Sequence, residues 1–183
     1  MKERDKTKYE LAGAIKALME HEGLDRIAVK DICAQCGLSR QTFYRNFKDK
    51  YDLVNWYFER LAQKSFKQMG VSYTLREGLL KKFCFIKAER SFFAQAFKSR
   101  DCNSILAYDY ESILSLYTGI ITRKTGRPLE GDIRFLLEMY CKGSIDMTVK
   151  WATTGMREPP EEIVDLLIEA MPERLRLLLG DLQ

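Results

Sequence analysis

Between Ser39 and Lys50 the chain gathers Arg40, Gln41, Thr42, Tyr44, Arg45 and Lys50, side chains suited to hydrogen bonding with a polar, anionic surface. Arg and Gln match the paired donors and acceptors of base edges in a DNA major groove, whereas Thr, Tyr and Lys reach phosphate oxygens. If Arg40–Phe47 is a helix, Phe43 and Phe47 stand four apart on one side as core residues. Arg40, Gln41, Tyr44 and Arg45 then face outward. Ser39 offers a side-chain oxygen to cap this helix, and the backbone N–H groups at its start suit a phosphate.

The elements that must hold this face are legible on either side. Val29–Cys36 places Ile32 and Cys36 on one face and stops at Gly37, so two short helices flank a tight turn with the dimensions of a helix-turn-helix. Upstream, Leu11, Ile15, Leu18 and Met19 recur at helical spacing, which predicts a helix over Thr7–Glu22 with Gly23 as its C-cap. Downstream, Asp49 reads as the cap of a long helix over Lys50–Met69, closed by Gly70, with Leu53, Val54, Tyr57, Phe58 and Leu61 as its apolar stripe.

The run from Val29 to Leu53, with Gly37-Leu-Ser39, Thr42-Phe-Tyr44 and Phe47-Lys-Asp-Lys50 within it, is similar to the signature of TetR/AcrR-family transcriptional regulators over residues 7–60. The resemblance implies a three-helix DNA-binding unit at residues 1–49, a helical regulatory half at residues 50–183, and a homodimer bound to a double-stranded, near-palindromic operator. It also implies that Gln41, Thr42 and Arg40 face bases, that Tyr44 reaches a phosphate, that Lys50 contacts the DNA backbone, and that Lys30 adds another phosphate contact. Lys30 and Lys48 read more simply as solvated lysines. One departure stands out: the family usually caps the second helix with Ser or Thr, and here the residue is Ala28, a loss of roughly 1 kcal/mol.

Beyond the motif the chain stays helical. Its four prolines all lie at or after Pro128, so nothing earlier breaks a helix. Thr74-Leu-Arg-Glu77 is a capping box opening Leu75–Ala88. Helices are expected at Ser91–Lys98, from Asn103 as cap to Thr125, at Glu130–Thr154 and at Pro160–Leu179, the last split by Pro172. That makes an all-α fold of about nine helices. Ile133, Leu136, Leu137, Tyr140 and Cys141 form one stripe while Phe135, Met139 and Met147 lie off it; Ile163, Leu166 and Leu167 likewise wrap around the last helix. Apolar residues on too many sides predict packing on the core and on the same helices of a second subunit. Phe83, Phe92, Phe93, Phe97, Tyr108 and Tyr117 form an aromatic stretch that suits a small apolar inducer, the kind of site the family uses, although each ring taken singly reads as core.

Composition excludes other classes. Net charge is 30 − 26 = +4, and the first 50 residues carry 11 − 8 = +3 of it, a weak basic bias. The Cys33-Ala-Gln-Cys36 spacing meets no second pair or His at ligand distance, so no metal, cofactor or disulfide framework is expected of Cys33, Cys36, Cys84, Cys102 and Cys141. His21 is the one histidine, and no nucleophile, zinc or phosphate-loop motif occurs, so a catalytic role, as in a helical enzyme, is the remote reading. Apolar runs are only a few residues long and Met1–Lys8 is charged, so a cytoplasmic protein without a membrane partner is expected. Should the regulatory half take no small ligand, the alternative input is a partner protein.

Overall fold

The computed structural model describes residues 3–101, 103–129 and 131–180. Cys102 and Glu130, one an expected thiol and the other the expected start of a helix, lie outside the described residues, as do Met1 and Lys2. The described residues form ten α-helices: α1 (Glu3–Met19), α2 (Val29–Cys36), α3 (Arg40–Asn46), α4 (Lys50–Ala62), α5 (Leu75–Ala88), α6 (Arg90–Ala96), α7 (Ile105–Thr125), α8 (Gly131–Thr153), α9 (Pro160–Glu169) and α10 (Glu173–Leu179). They are joined by loops and two 3-10 turns, Leu24–Arg26 and Phe66–Gln68. One apolar core runs from Leu11 to Leu179, and Leu53, Val54 and Phe58 of α4 carry it from the first three helices into the rest.

Local signals explain most boundaries. Gly37 closes α2 at φ 69°, a left-handed conformation open to glycine, and the Leu38 N–H returns to Cys33 O. Ala28 has no oxygen to cap α2, but the reciprocal half of a capping box survives, because its own N–H donates to Asp31 Oδ2 at 3.1 Å. Thr74 and Glu77 make the full box at α5, and Pro172 separates α9 from α10.

Three expectations are corrected. Gly23 does not cap α1, which ends at Met19; with φ −70° it opens the 3-10 turn that buries Leu24. Ser104, not Asn103, precedes α7. The fourth helix stops at Ala62 instead of Met69. There the Ser65 hydroxyl donates to Leu61 O and Ala62 O, and the chain turns back so that Phe66 and Met69 are both fully buried. Gly78 of α5 makes room for that return, since a Cβ on it would stand 2.2 Å from Met69 Cγ.

Candidate nucleic-acid interface

The second helix of the pair, α3, is fixed from beneath and left open above. Phe43 and Phe47 are buried, with ring centroids 6.0 Å apart, and Phe47 stacks edge-on against Trp56 of α4. Lys8 of α1 lies over both the Phe47 and Trp56 rings, a cation–π contact that ties α1 to the pair. At the start of α3, Ser39 Oγ accepts from Thr42 N at 3.0 Å and shares a hydrogen bond with Thr42 Oγ1 at 2.9 Å. Ser39 therefore caps the helix as expected, and it also holds the Thr42 hydroxyl that was expected to reach DNA.

On the opposite flank Arg40, Gln41 and Arg45 are exposed. They make no side-chain hydrogen bond or ion pair among the described residues. Tyr44 is 52% exposed, with its ring edge braced on Phe43. No acidic residue sits in the first turn of α3, so the helix N-terminus keeps its positive end. Lys30 stands exposed on the first turn of α2. Five of the sequence-selected side chains, Lys30, Arg40, Gln41, Tyr44 and Arg45, thus stand exposed with their donors unspent among the described residues.

Lys50 is placed differently. Its ammonium donates to Asp25 O and Ile27 O, each at 2.8 Å, which ties the start of α4 to the loop before α2. Burial pulls its pKa below the usual lysine value, with Asp25, Asp101 and Asp49 opposing. Around the same loop, Asp25 accepts from Ser99 Oγ at 2.5 Å, Tyr51 OH at 3.1 Å and Arg100 N at 3.5 Å. The Ser99 bond holds the Asp25 carboxyl below the ordinary carboxylate value. Burial and Asp25 push the Tyr51 phenol up to about 12. Asn55 Nδ2 donates to Asn103 O, and Lys16 and Tyr57 converge on Glu89 at 2.5 Å and 2.9 Å. These joints between the helix pair and the segment around α6 were not legible as spacing, because each partner lies tens of residues from the other.

In the C-terminal half the six selected aromatics are not brought to one cavity. Phe92, Phe93 and Phe97 are buried in ring-to-ring contact with Tyr57, Phe58 and one another. Tyr108 donates its hydroxyl to Glu59 Oε2 at 2.8 Å. Of the six, Phe83 and Tyr117 help line a small cavity of about 20 Å³ between α5, α7, α8 and α9. By contrast, Phe135, Met139 and Met147 of α8 and Leu166 of α9 stand exposed. A groove of about 480 Å³ runs between Met147, Trp151, Ile163, Leu166 and Leu167. Leu167 is buried beneath it, and Ile163 is half-buried in its wall. Among the described residues no cluster of His, Cys, Asp or Glu could hold a metal, the four described cysteines are free thiols, and no helix is long and apolar enough to cross a membrane.

Comparison with known proteins agrees with this arrangement. The chain matches 28% of 97 aligned residues in the HTH-type dhaKLM operon transcriptional activator DhaS of Lactococcus lactis, an alignment over 53% of this chain and 52% of the relative. The match thus spans about half the length of that curated relative. Solved structures share the fold at low identity. A TetR transcriptional regulator from Streptococcus agalactiae superposes with TM-score 0.68 at 19% identity, covering 96% of this chain and 94% of that one. The dihydroxyacetone kinase operon activator DhaS gives 0.65 at 18%, covering 93% and 97%. FadR of Bacillus subtilis, solved with stearoyl-CoA, gives 0.61 at 20%, covering 96% and 99%. Residues 73–173 match the family described as transcriptional regulator C-terminal region. Residues 11–55 match bacterial regulatory proteins, tetR family, and with more than half of its length matched the chain belongs to the TetR family of transcriptional regulators.

Proposed function

We propose that the protein is a cytoplasmic homodimer that reads a near-palindromic DNA operator with two copies of α3 and acts as a repressor released by a small molecule. Residues 1–49 serve as the DNA-binding unit and residues 50–183 as the regulatory half. The observation that carries the DNA reading is the unspent flank of α3. Arg40, Gln41 and Arg45 stand exposed without partners among the described residues, beside an exposed Tyr44 and a helix end without an acid. Arg40 and Gln41 suit base edges, Tyr44, Arg45 and Lys30 suit phosphates, and Thr42 and Ser39 position the helix end. Lys50 acts by fixing the loop before α2. Selecting bound sequences from a random DNA pool and then titrating salt tests this. Two half-sites one helical turn apart, with affinity falling steeply with salt, are expected, and an unselected pool refutes it.

The mate is seated by the exposed apolar edge of α8 and α9, where Phe135, Met139, Met147 and Leu166 lose water only against another surface. Leu166→Glu should give a monomeric mass in sedimentation and lose operator binding; an unchanged dimer refutes this face. Movement in the regulatory half reaches α3 through α4 and through the bonds of Asp25 with Ser99 and of Lys16 and Tyr57 with Glu89.

A second reading of the input, a partner protein in place of a small ligand, is favoured by one observation: the cavity in the core of the regulatory half is only about 20 Å³, whereas the apolar groove outside is about 480 Å³. Operator release by a small compound alone, with purified components, favours the first reading, and release only on adding a second protein favours the second. DhaS, matched both by sequence and by structure, is named an activator; transcription from an operator-bearing promoter, with and without the protein, decides the sign.

A further inference from the structure

The Cys33-Ala-Gln-Cys36 run offers too few ligands for a structural metal, yet it sets two thiols on one turn of α2, directly before the turn that aims α3. Cys33 is buried and Cys36 half-buried. The Cys36 thiol folds back over the last turn, donating to Ile32 O at 3.2 Å, with Cys33 O 3.7 Å away. The same Cys33 carbonyl anchors the chain beyond the helix. It accepts from Leu38 N at 3.0 Å and from Gly37 N, and Ser39 follows at once as the cap of α3. Burial holds the Cys33 thiol above its ordinary value, with the Cys36 sulfur adding to this and Arg40 opposing it. Cys84 on α5 and Cys141 on α8 have no second thiol on their helices.

Resting on the reading of α3 as the DNA-recognition helix, we infer that Cys33 and Cys36 are a redox-sensitive dithiol, which a hydroperoxide converts to an intrahelical disulfide that unseats α3 and releases DNA. The half-buried sulfur reacts first. The Cys36 thiolate attacks one oxygen of the hydroperoxide and the O–O bond breaks. Sulfur is oxidised to a sulfenic acid, and the other oxygen leaves with a proton as water or an alcohol. Cys33, deprotonated as it attacks, then displaces the oxygen from the Cys36 sulfur, and that oxygen departs with the proton as water. Two thiols and one hydroperoxide thus give one disulfide, one water and one further water or alcohol. An added dithiol reverses the change by exchange. Geometry links this chemistry to α3. Helical residues three apart hold their Cβ atoms about 5–6 Å apart, whereas a disulfide holds them at roughly 3.8 Å. Closing the bond therefore draws in the last turn of α2 and disturbs the Cys33 carbonyl that fixes Gly37 and Leu38. The buried, protonated state of Cys33 keeps the pair reduced until Cys36 has been oxidised.

The test uses the full chain, reduced with dithiothreitol and then exposed to hydrogen peroxide. Trypsin cuts after Lys30 and Arg40, so the peptide Asp31–Arg40 carries both sulfurs. After peroxide this peptide should be lighter by two hydrogens and closed to alkylation. DNA selected from the random pool should bind about tenfold or more weakly, the loss expected once both bonds to Cys33 O are disturbed. Brief trypsin treatment of the folded chain should cut at Arg40 and Arg45 severalfold faster, and dithiothreitol should restore all three readouts. Cys36→Ser and Cys33→Ala should bind as the reduced chain does and keep their affinity in peroxide; two variants are used so that misfolding of one does not decide the matter. A peptide that stays open to alkylation, a disulfide that leaves affinity and cutting unchanged, or peroxide sensitivity that survives in both variants overturns the switch. Failure of the reduced chain to bind any selected DNA overturns the operator reading alone, because peptide mass and cutting still decide whether the pair oxidises and moves α3.

Discussion

Arg40, Gln41 and Arg45 stand in water with no partner among the described residues, whereas Lys82 and Asp109 are buried and bonded only to each other. Stability alone explains neither placement. Exposed donors on a short helix add little to stability, and a buried ion pair is often no more stabilising than an apolar pair of the same size. The difference teaches where each half does its work. The first half leaves a row of polar groups in water on one flank of α3, and the second encloses a charged pair in its core.

The comparison breaks most decisively at the buried pair. Lys82→Met alone leaves Asp109 as an uncompensated internal charge and should cost about 3–5 kcal/mol of stability. At ~2–4 °C per kcal/mol in a chain of this length, the thermal midpoint falls by roughly 10 °C. The double change Lys82→Met with Asp109→Leu should recover most of that loss. If urea or thermal unfolding shows the double variant no better than the single one, the pair is not the coupled unit the geometry describes.

At the outer face the expected effects are smaller in stability and larger in recognition. Arg40→Ala or Gln41→Ala should each lose about 1–3 kcal/mol of operator binding, concentrated at particular base pairs, with the melting curve unmoved. Lys30→Ala should weaken every sequence alike and lower the salt slope by about one. Lys50→Ala should differ from both. It removes two bonds to carbonyls, so it should lower stability by about 1 kcal/mol as well as binding. Lys50→Ala with full stability and a reduced salt slope would return Lys50 to the DNA backbone.

The joint between the halves gives a weaker, pH-dependent effect. Asp25 has a folded pKa below its ordinary value, so its contribution is present in full above that ordinary value and fades as pH falls through the lowered one. Because the group is largely exposed, the contribution is well under ~1 kcal/mol. Asp25→Asn should therefore leave neutral stability nearly unchanged, flatten the acid limb of the stability–pH curve below about pH 4, and loosen the coupling between effector and operator. An unaltered acid limb would remove Asp25 from the joint.

The helices and the exposed flank of α3 were readable because their causes are local: a capping oxygen, a breaking glycine, apolar residues at 3.6 spacing. Ser39, Gly37, Thr74 and Pro172 act where the sequence places them. Misplaced features have distant causes. The end of α4 depends on Phe66 and Met69 finding α5, and the role of Lys50 depends on a loop more than twenty residues away. The aromatic stretch misled because rings fill a core as readily as they line a pocket. The buried pair did leave a trace: Lys82 falls among Leu79, Phe83 and Ile86, and Asp109 between Ile105 and Ile113, a charge of each sign in core phase on two helices. Such matched intrusions are the pattern to seek.

The finest test concerns Ala28. Without an oxygen there, the N–H groups at the start of α2 lack the usual cap, while Asp31 already supplies the return bond to Ala28 N at 3.1 Å. Ala28→Ser completes the box with backbone that is already extended, at φ −99° and ψ 154°, so no rearrangement offsets the gain. Stability should rise by about 0.5–1 kcal/mol, a midpoint increase of ~1–4 °C by calorimetry. Operator affinity should stay level or rise slightly, since a firmer α2 fixes Lys30 and the turn that aims α3. A gain in stability with a clear loss of affinity would mean that looseness at this helix start is itself used in fitting DNA, and that the two halves differ less in rigidity than their polar groups suggest.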